Sequence, residues 1–227
     1  AFIPRSDFFF ALNSPAWSLC CEQLFYILFP IGISLAKSPK KLAIVALVAV
    51  ATVLIGNEFT PAEYTKGVWY TNPITRLPDF VVGVLLWHIY QRIKGLNISR
   101  QAASLMELCA ILLFIAFYIF AEGVPKAYRY TFYYWIPVTA IVLSFALQKG
   151  ILSGLLRRKI FITGGEISYG IYLMQVLVIK AFNKYFTGIP PYVAAISVLL
   201  VIITTSYLSY RYFEKPMNRY VKKCFKE

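Results

Sequence analysis

Seven long apolar runs constrain this chain more than any other feature of its sequence. They cover residues 15–36, 42–55, 77–90, 103–121, 131–147, 167–186 and 192–212. A helix that crosses the hydrocarbon core of a bilayer needs about 20 mostly apolar residues, and somewhat fewer when flanking side chains reach the interface. The runs therefore predict an all-α fold class: a polytopic bundle of seven transmembrane helices, in a single membrane domain over residues 1–227.

The basic residues divide unequally between the two sides of such a bundle. Of the 23 Lys and Arg residues, 16 lie on the side that holds the C-terminus and 7 lie on the other side. Because basic loops stay in the cytoplasm, the C-terminus is predicted to be cytoplasmic and the first residue to lie outside. An outside start without a signal sequence favours an odd number of further helices upstream. The net charge of +13 does not indicate nucleic acid, since these cations sit between apolar runs.

Glu22 lies inside the first apolar run, where a charged side chain is costly and usually functional. Ser18, Glu22 and Tyr26 are spaced one helical turn apart and share a face. Together with Trp17, this face is predicted to line a polar cavity that opens outward. The alternative is a glutamate that holds the bundle together by hydrogen bonds to neighbouring helices.

Two further acidic residues lie within apolar runs. Asp79 follows Arg76 by three residues, a spacing that lets the two side chains pair on one helical face. The pair is either a structural ion pair or part of a substrate site. Glu107 lies near the cytoplasmic start of its run and is expected to reach the lipid headgroups.

A polar stripe marks the sixth run. Ser168, Tyr172 and Gln175 recur at positions i, i+4 and i+7 and therefore share a helical face that leads from the cytoplasmic end towards mid-membrane. Such a stripe suits a tunnel for a donor substrate. It also suits polar contacts between helices, which is the alternative.

The remaining polar and aromatic residues predict membrane anchoring rather than chemistry. Aromatic residues cluster before the third run and at the start of the fifth: Trp69, Tyr70, Tyr128, Tyr130, Tyr133, Tyr134 and Trp135. Amphipathic rings prefer the membrane interface. His88, the single histidine, is interpreted as a structural interfacial residue, and the sequence contains no metal-ligand cluster, phosphate loop or catalytic triad order.

Four segments resemble a known family. Residues 14–30 read SPAWSLCCEQLFYILFP and closely resemble the WSLxxExxFYxxxP signature of the acyltransferase 3 family. Residues 76–83 resemble its R-x-x-x-F-x-x-G segment, residues 167–173 its ISYxxYL segment and residues 213–216 its terminal E-[KR]-P. These segments follow the order of the family and together span nearly the whole chain.

The resemblance implies a ten-helix membrane O-acyltransferase of which this chain is the C-terminal part, without the first three helices. Members move an acyl group, commonly acetyl, from cytoplasmic acyl-CoA to a hydroxyl of a glycan, lipid-linked sugar or other acceptor. The implied donor substrate is therefore acetyl-CoA, with no permanently bound cofactor, and the implied location is a bacterial inner membrane. The essential histidine of the family follows an Arg or Lys in its first helix, and no residue here matches that motif.

The predicted site combines the resemblance with the polar residues of the runs. We expect Glu22, Ser18 and Trp17 to be catalytic, and we expect these residues to bind substrate: Tyr26, Arg76, Asp79, Ser168, Tyr172 and Gln175. Gln175 departs from the family, because many relatives carry His there. Arg157, Arg158 and Lys159 either attract the phosphates of CoA or only mark the cytoplasmic side.

Two other interpretations of the sequence stay open. One is a non-enzymatic transporter or flippase for a glycolipid or an acylated intermediate, which would also need buried polar groups and basic loops. The other is an incomplete or inactive gene product, because the chain begins without Met and without the expected upstream histidine.

Overall fold

The computed structural model describes residues 13–186 and 188–224, apart from the side chains of residues 31–36. Within these ranges the chain forms helices and no strands, which confirms the all-α prediction. Arg5 and Lys226, two of the counted basic residues, lie outside the described residues. The α-helices are α1 Trp17–Ala36, α2 Pro39–Phe59, α3 Pro73–Ile93, α4 Arg100–Ile119, α5 Lys126–Tyr130, α6 Trp135–Ala146, α7 Ile151–Leu156, α8 Lys159–Tyr185, α9 Pro191–Ser209 and α10 Lys215–Cys224.

Four segments of the described chain are long and apolar enough to cross a membrane: Pro39–Phe59, Arg100–Gly123, Lys159–Tyr185 and Pro191–Cys224. They make this an integral membrane protein. Of the other predicted spans, α3 is a continuous helix, but the charged side chains of Arg76 and Asp79 in its first two turns make it less apolar. The α6 helix has 12 residues, so it is only about 18 Å long against a hydrocarbon core of about 30 Å. The seven-span bundle and the ten-helix domain therefore stay predictions.

Three helices begin a few residues before the apolar runs that predict them, because polar caps extend them. Ser38, Asn72 and Ser99 cap α2, α3 and α4, and each accepts a hydrogen bond from a backbone N–H of the first turn. The Asn72 carboxamide oxygen, for example, accepts from the Ile74 N–H at 2.9 Å. Such caps satisfy donors that have no partner within the helix.

One compact unit covers Trp17–Leu155, and in it α3 packs against α1, α2 and α6 while α4 packs against α6. A π-helical turn, Lys66–Tyr70, buries Trp69 in this unit. The Trp69 ring covers Gly56, where an added Cβ would lie only 2.8 Å from it. Val53, Trp69 and Ala127 form a small core that fixes α5 against this turn.

A second compact unit contains the described residues 13–16 and those from 156 to 224. In it α8 packs against α9, and α9 leads through the π-helical turn Tyr210–Glu214 into α10. A 3-10 turn, Ser14–Ala16, packs against α8. The Asn13 side-chain N–H₂ donates to the carbonyl of Leu173 at 2.8 Å, so this turn is tied to the middle of α8.

Candidate active site

A cavity of about 830 Å³ opens in the Trp17–Leu155 unit among α3, α5 and α6. We call it the polar cavity. Its charged residues are Arg76, Asp79, Lys126 and Arg129, and aromatic side chains form much of the remaining wall: Tyr70, Tyr130, Tyr134 and Trp135. The sequence predicts two of these residues, Arg76 and Asp79, as parts of a substrate site.

Asp79 is held firmly at the wall of the polar cavity. Its Oδ2 lies 3.0 Å from Nε of Arg76, which confirms the predicted pairing of the two side chains. Its Oδ1 accepts a hydrogen bond of 2.6 Å from the indole N–H of Trp135. Arg76 also donates to the backbone carbonyl of Tyr130. Because each carboxylate oxygen has a partner, Asp79 keeps one orientation at this wall.

The short helix α5 brings two more cations to the polar cavity. Ala127 is completely buried, and the Thr131 hydroxyl donates to its carbonyl at 2.8 Å, so α5 has little freedom to move. Lys126 and Arg129 are three residues apart and therefore lie on one side of α5. Both line the cavity, and the Nε of Arg129 is buried without a hydrogen-bond partner in the described chain.

A row of rings connects α1 to the polar cavity. The Trp17 and Tyr70 rings lie 4.6 Å apart between centroids, and Tyr70 and Tyr130 lie 5.0 Å apart. The sequence predicts Tyr70 and Tyr130 as interfacial anchors rather than as site residues. Tyr130 follows Lys126 and Arg129 in the sequence, and this position could have identified it; Tyr70 has no such signal.

A second cavity, of about 910 Å³, lies between α1 and α3, and we call it the apolar cavity. The Phe80 ring stacks on Phe25 at 5.4 Å and meets the edge of Phe29 at 5.8 Å. Lys37 and His88 also line it. His88, interpreted from sequence as an interfacial residue, is therefore part of a cavity wall, and its ring lies 5.1 Å from that of Trp87.

The two cavities adjoin at Asp79 and Gly83, which line both. No heavy atom beyond the chain neighbours and helix backbone of Gly83 lies within 4 Å of the position that a Cβ would take there. The absence of a side chain at Gly83 thus leaves open space where the polar and the apolar cavity meet.

Of the residues predicted to line a cavity from α1, the structure packs Trp17 against a neighbouring ring but leaves Ser18, Glu22 and Tyr26 off the packed face. Trp17, Phe25 and Phe29 make ring contacts within their unit, and Cys21 is buried on the same face. The other three residues of the predicted set do not reach a cavity. Ser18 and Glu22 are half-buried and Tyr26 is 71% exposed, and none of them lines either cavity.

The predicted stripe on α8 lies within the second unit. The Tyr172 hydroxyl donates to the carbonyl of Pro15 at 3.2 Å, so it fastens the 3-10 turn to α8. The Ser168 hydroxyl donates to the Gly165 carbonyl of its own helix at 2.7 Å and is exposed. Gln175 is half-buried. Only the Tyr172 bond joins two elements, as the alternative interpretation expects, because the Ser168 bond stays within α8.

Glu107 corrects a prediction, because it does not reach the membrane surface. It is fully buried, and its carboxylate accepts hydrogen bonds from the backbone N–H groups of Leu152 at 3.0 Å and Ser153 at 3.2 Å. It therefore caps the short helix α7 and packs directly over Gly150. The free N–H groups at a helix start are strong enough partners to hold a buried carboxylate.

Comparison with known families matches residues 2–211 to the acyltransferase 3 family, described as an acyltransferase domain. Among curated proteins, the O-acetyltransferase OatA of Staphylococcus aureus strain NCTC 8325 is 26% identical over 224 residues. OatA of strain MRSA252 is equally similar. Both alignments cover 92% of this chain and 36% of the relative, so the chain spans about a third of their length. No solved structure matches.

Proposed function

Because the chain belongs to the acyltransferase 3 family, we propose that it transfers an acyl group, in the simplest case acetyl, to a glycan hydroxyl. The proposed donor is acyl-CoA, and the proposed acceptor is a cell-surface carbohydrate or a lipid-linked sugar. One observation carries the proposal: two cavities adjoin at Asp79 and Gly83, one with tyrosines and three cations in its wall and the other with three phenylalanines. The O-acetyltransferase relatives support the same reaction.

The two cavities suit two different substrates. Tyrosine and tryptophan rings and charged side chains lie in the wall of the polar cavity. This wall fits a sugar, because the C–H faces of a sugar pack on rings and its hydroxyl groups need hydrogen-bond partners. Three phenylalanines and one tryptophan are the largest group of side chains in the wall of the apolar cavity, which fits the acyl group and the flexible arm of CoA. Lys37 in this cavity would attract the CoA phosphates. The exposed run Arg157, Arg158 and Lys159 keeps its two predicted interpretations, attraction of phosphates or a marker of the cytoplasmic side.

In the proposed reaction the thioester C–S bond of acyl-CoA breaks and an ester C–O bond forms to the acceptor oxygen. The proton of the acceptor hydroxyl ends on the sulfur of released CoA. Asp79, oriented by Arg76 and Trp135, would accept a hydrogen bond from that hydroxyl where the cavities meet. The general base implied by the resemblance is the histidine of the first family helix, and it stays a prediction.

The residues of α1 and α8 keep their predicted roles as proposals. Trp17 would support the acceptor through its ring contact with Tyr70. Glu22 and Ser18 would orient the histidine or the acceptor, with Tyr26 beside them. Ser168, Tyr172 and Gln175 would contribute to substrate binding on α8.

The charge distribution supports a direction for the reaction. On the proposed topology Lys126 and Arg129 lie outside, while the C-terminus lies in the cytoplasm. The polar cavity would then receive the acceptor from outside and the apolar cavity would receive the donor from within. A bacterial inner membrane is the proposed location.

The decisive variant is Gly83→Leu in the natural gene product that contains this chain. A leucine side chain would fill the open space at Gly83 and separate the two cavities. We expect the acetyl-ester content of surface polysaccharides, measured by mass spectrometry at matched membrane expression, to fall about tenfold or more. Gly164→Leu is the matched control, because a Cβ there also meets nothing within 4 Å and Gly164 lines neither cavity.

Each result has a distinct meaning. Unchanged ester in Gly83→Leu would contradict transfer through the junction of the cavities. Absence of ester even in the wild type would contradict the acyltransferase proposal and favour the transporter or flippase.

A further inference from the structure

The polar cavity contains more positive charge than its own carboxylate neutralises. Three cations line it, Arg76, Lys126 and Arg129, against the single carboxylate of Asp79. That carboxylate lies 3.0 Å from Nε of Arg76 and is thereby paired. Within the described residues, neither Lys126 nor Arg129 makes an ion pair. Two cations of α5 therefore line one cavity without a carboxylate partner in the part of the chain that the structure describes.

Arg129 also has an unused donor in a buried position. Its Nε is buried and has no hydrogen-bond partner in the described chain. A buried donor left without an acceptor is unfavourable, and more so when it carries charge. An oxyanion in the cavity would supply the missing acceptor and offset part of the charge of the two cations.

The helix that carries these cations is already fixed in position. Ala127 is completely buried between them, and the carbonyl of Tyr130 accepts a hydrogen bond from Arg76. The ring of Tyr130 packs on that of Tyr70. A preformed pair of cations binds an anion without first ordering a loop, which favours affinity.

We propose, on the basis of the proposed function, that Lys126 and Arg129 bind a carboxylate or phosphate carried by the glycan acceptor. The rings of Tyr70, Tyr130 and Tyr134 line the same cavity, so an anionic group on a sugar fits it better than an anionic lipid headgroup, which needs no such rings. The acceptor class is then an acidic or phosphorylated saccharide rather than a neutral one. The guanidinium of Arg129 and the ammonium of Lys126 select it by charge.

The test compares three matched oligosaccharides: one with a uronic carboxylate, its carboxyl-reduced neutral form, and a phosphorylated form. The natural gene product, purified in neutral detergent, is assayed for binding of each by calorimetry and for acetyl transfer from acetyl-CoA by mass spectrometry. We expect both acidic forms to bind about tenfold or more tightly than the neutral form. In the double variant Lys126→Gln, Arg129→Gln, the ratio of the affinities for the acidic and neutral forms should approach one. Arg129→Lys should keep part of the preference for the acidic forms.

The control is Lys180→Gln, which removes a cation that lines neither cavity and should leave the affinity ratio unchanged.

The outcomes are distinct. The acidic form that binds more tightly shows whether carboxylate or phosphate is the preferred group. Equal binding of acidic and neutral forms by the wild type would overturn the proposal, as would a preference that survives the double variant. Competition by phosphatidylglycerol vesicles, without charge-dependent binding of glycan, would assign the cations to a headgroup and also overturn it. Charge-dependent binding without any acetyl transfer would support this site while contradicting the proposed reaction.

Discussion

Two glutamates show how differently a carboxylate is accommodated within an apolar helix. Glu107 on α4 is fully buried and accepts two backbone N–H bonds from the start of α7. Glu22 on α1 is half-buried and makes no hydrogen bond or ion pair with any described residue. The Glu107 carboxylate thus has a structural role. Glu22 has no such role among the described residues, so it keeps the usual expectation for a charge within a predicted membrane segment, which is function.

Replacement of each glutamate by glutamine separates the two roles. Glu22→Gln should lower acetyl-ester content about tenfold or more, because it removes charge without removing a described contact. Its unfolding temperature in detergent should equal that of the wild type.

Glu107→Gln is the contrasting variant. An amide nitrogen cannot accept a hydrogen bond, so one N–H group of α7 would lose its partner, at a cost of about 1–3 kcal/mol. We expect lower thermal stability with ester content that follows the amount of folded protein. Destabilisation by Glu22→Gln, or an intact unfolding temperature in Glu107→Gln, would contradict these assignments.

Helix packing in this chain depends on small residues where backbones approach closely. The clearest case is the contact of α8 with α9, where a Cβ added at Gly170 would lie 3.2 Å from the Cβ of Ser206. Ser206 is itself completely buried. Between apolar helices in lipid, close packing replaces the hydrophobic effect as the main attraction.

Gly170→Leu should therefore destabilise the protein by about 1–3 kcal/mol, since the larger side chain forces α8 and α9 apart. Thermal unfolding in detergent measures the effect. Gly165→Leu is the control on the same helix, because a Cβ there meets nothing within 4 Å. Both variants gain helix propensity over glycine, so equal stability of the two would contradict the close packing at Gly170.

Within the residues that the structure describes, four segments satisfy the length and hydropathy of a membrane span, against seven predicted from the sequence. The predicted sides of the loops require in addition that the predicted span containing α6 crosses the membrane, because this span separates Lys126 from Arg157. Lys126 lies in a connection assigned to the outside, and Arg157 in one assigned to the cytoplasm.

Labelling of single cysteines tests this topology. In a variant whose natural cysteines Cys20, Cys21, Cys109 and Cys224 are replaced by serine, we expect Lys126→Cys to react with an impermeant maleimide in intact spheroplasts. Arg157→Cys should react only after the membrane is permeabilised. Reaction of both positions under the same condition would contradict the predicted orientation.

The helical class, the membrane environment and the Arg76–Asp79 pair follow from the sequence because each depends on local composition or on spacing along one helix. The face of α1 that packs follows from it only in part. Trp17 is a predicted site residue, but the packed face continues through Cys21, Phe25 and Phe29 rather than through Ser18, Glu22 and Tyr26. Lipid accepts apolar side chains on any side of a helix, so periodicity says little about which side meets a neighbour. For a similar reason, the polar cavity could not be predicted from the sequence. Its rings and cations come from segments that are far apart in the sequence. Only the packing of α6 against α3, and of α5 against the turn Lys66–Tyr70, brings them together around Asp79.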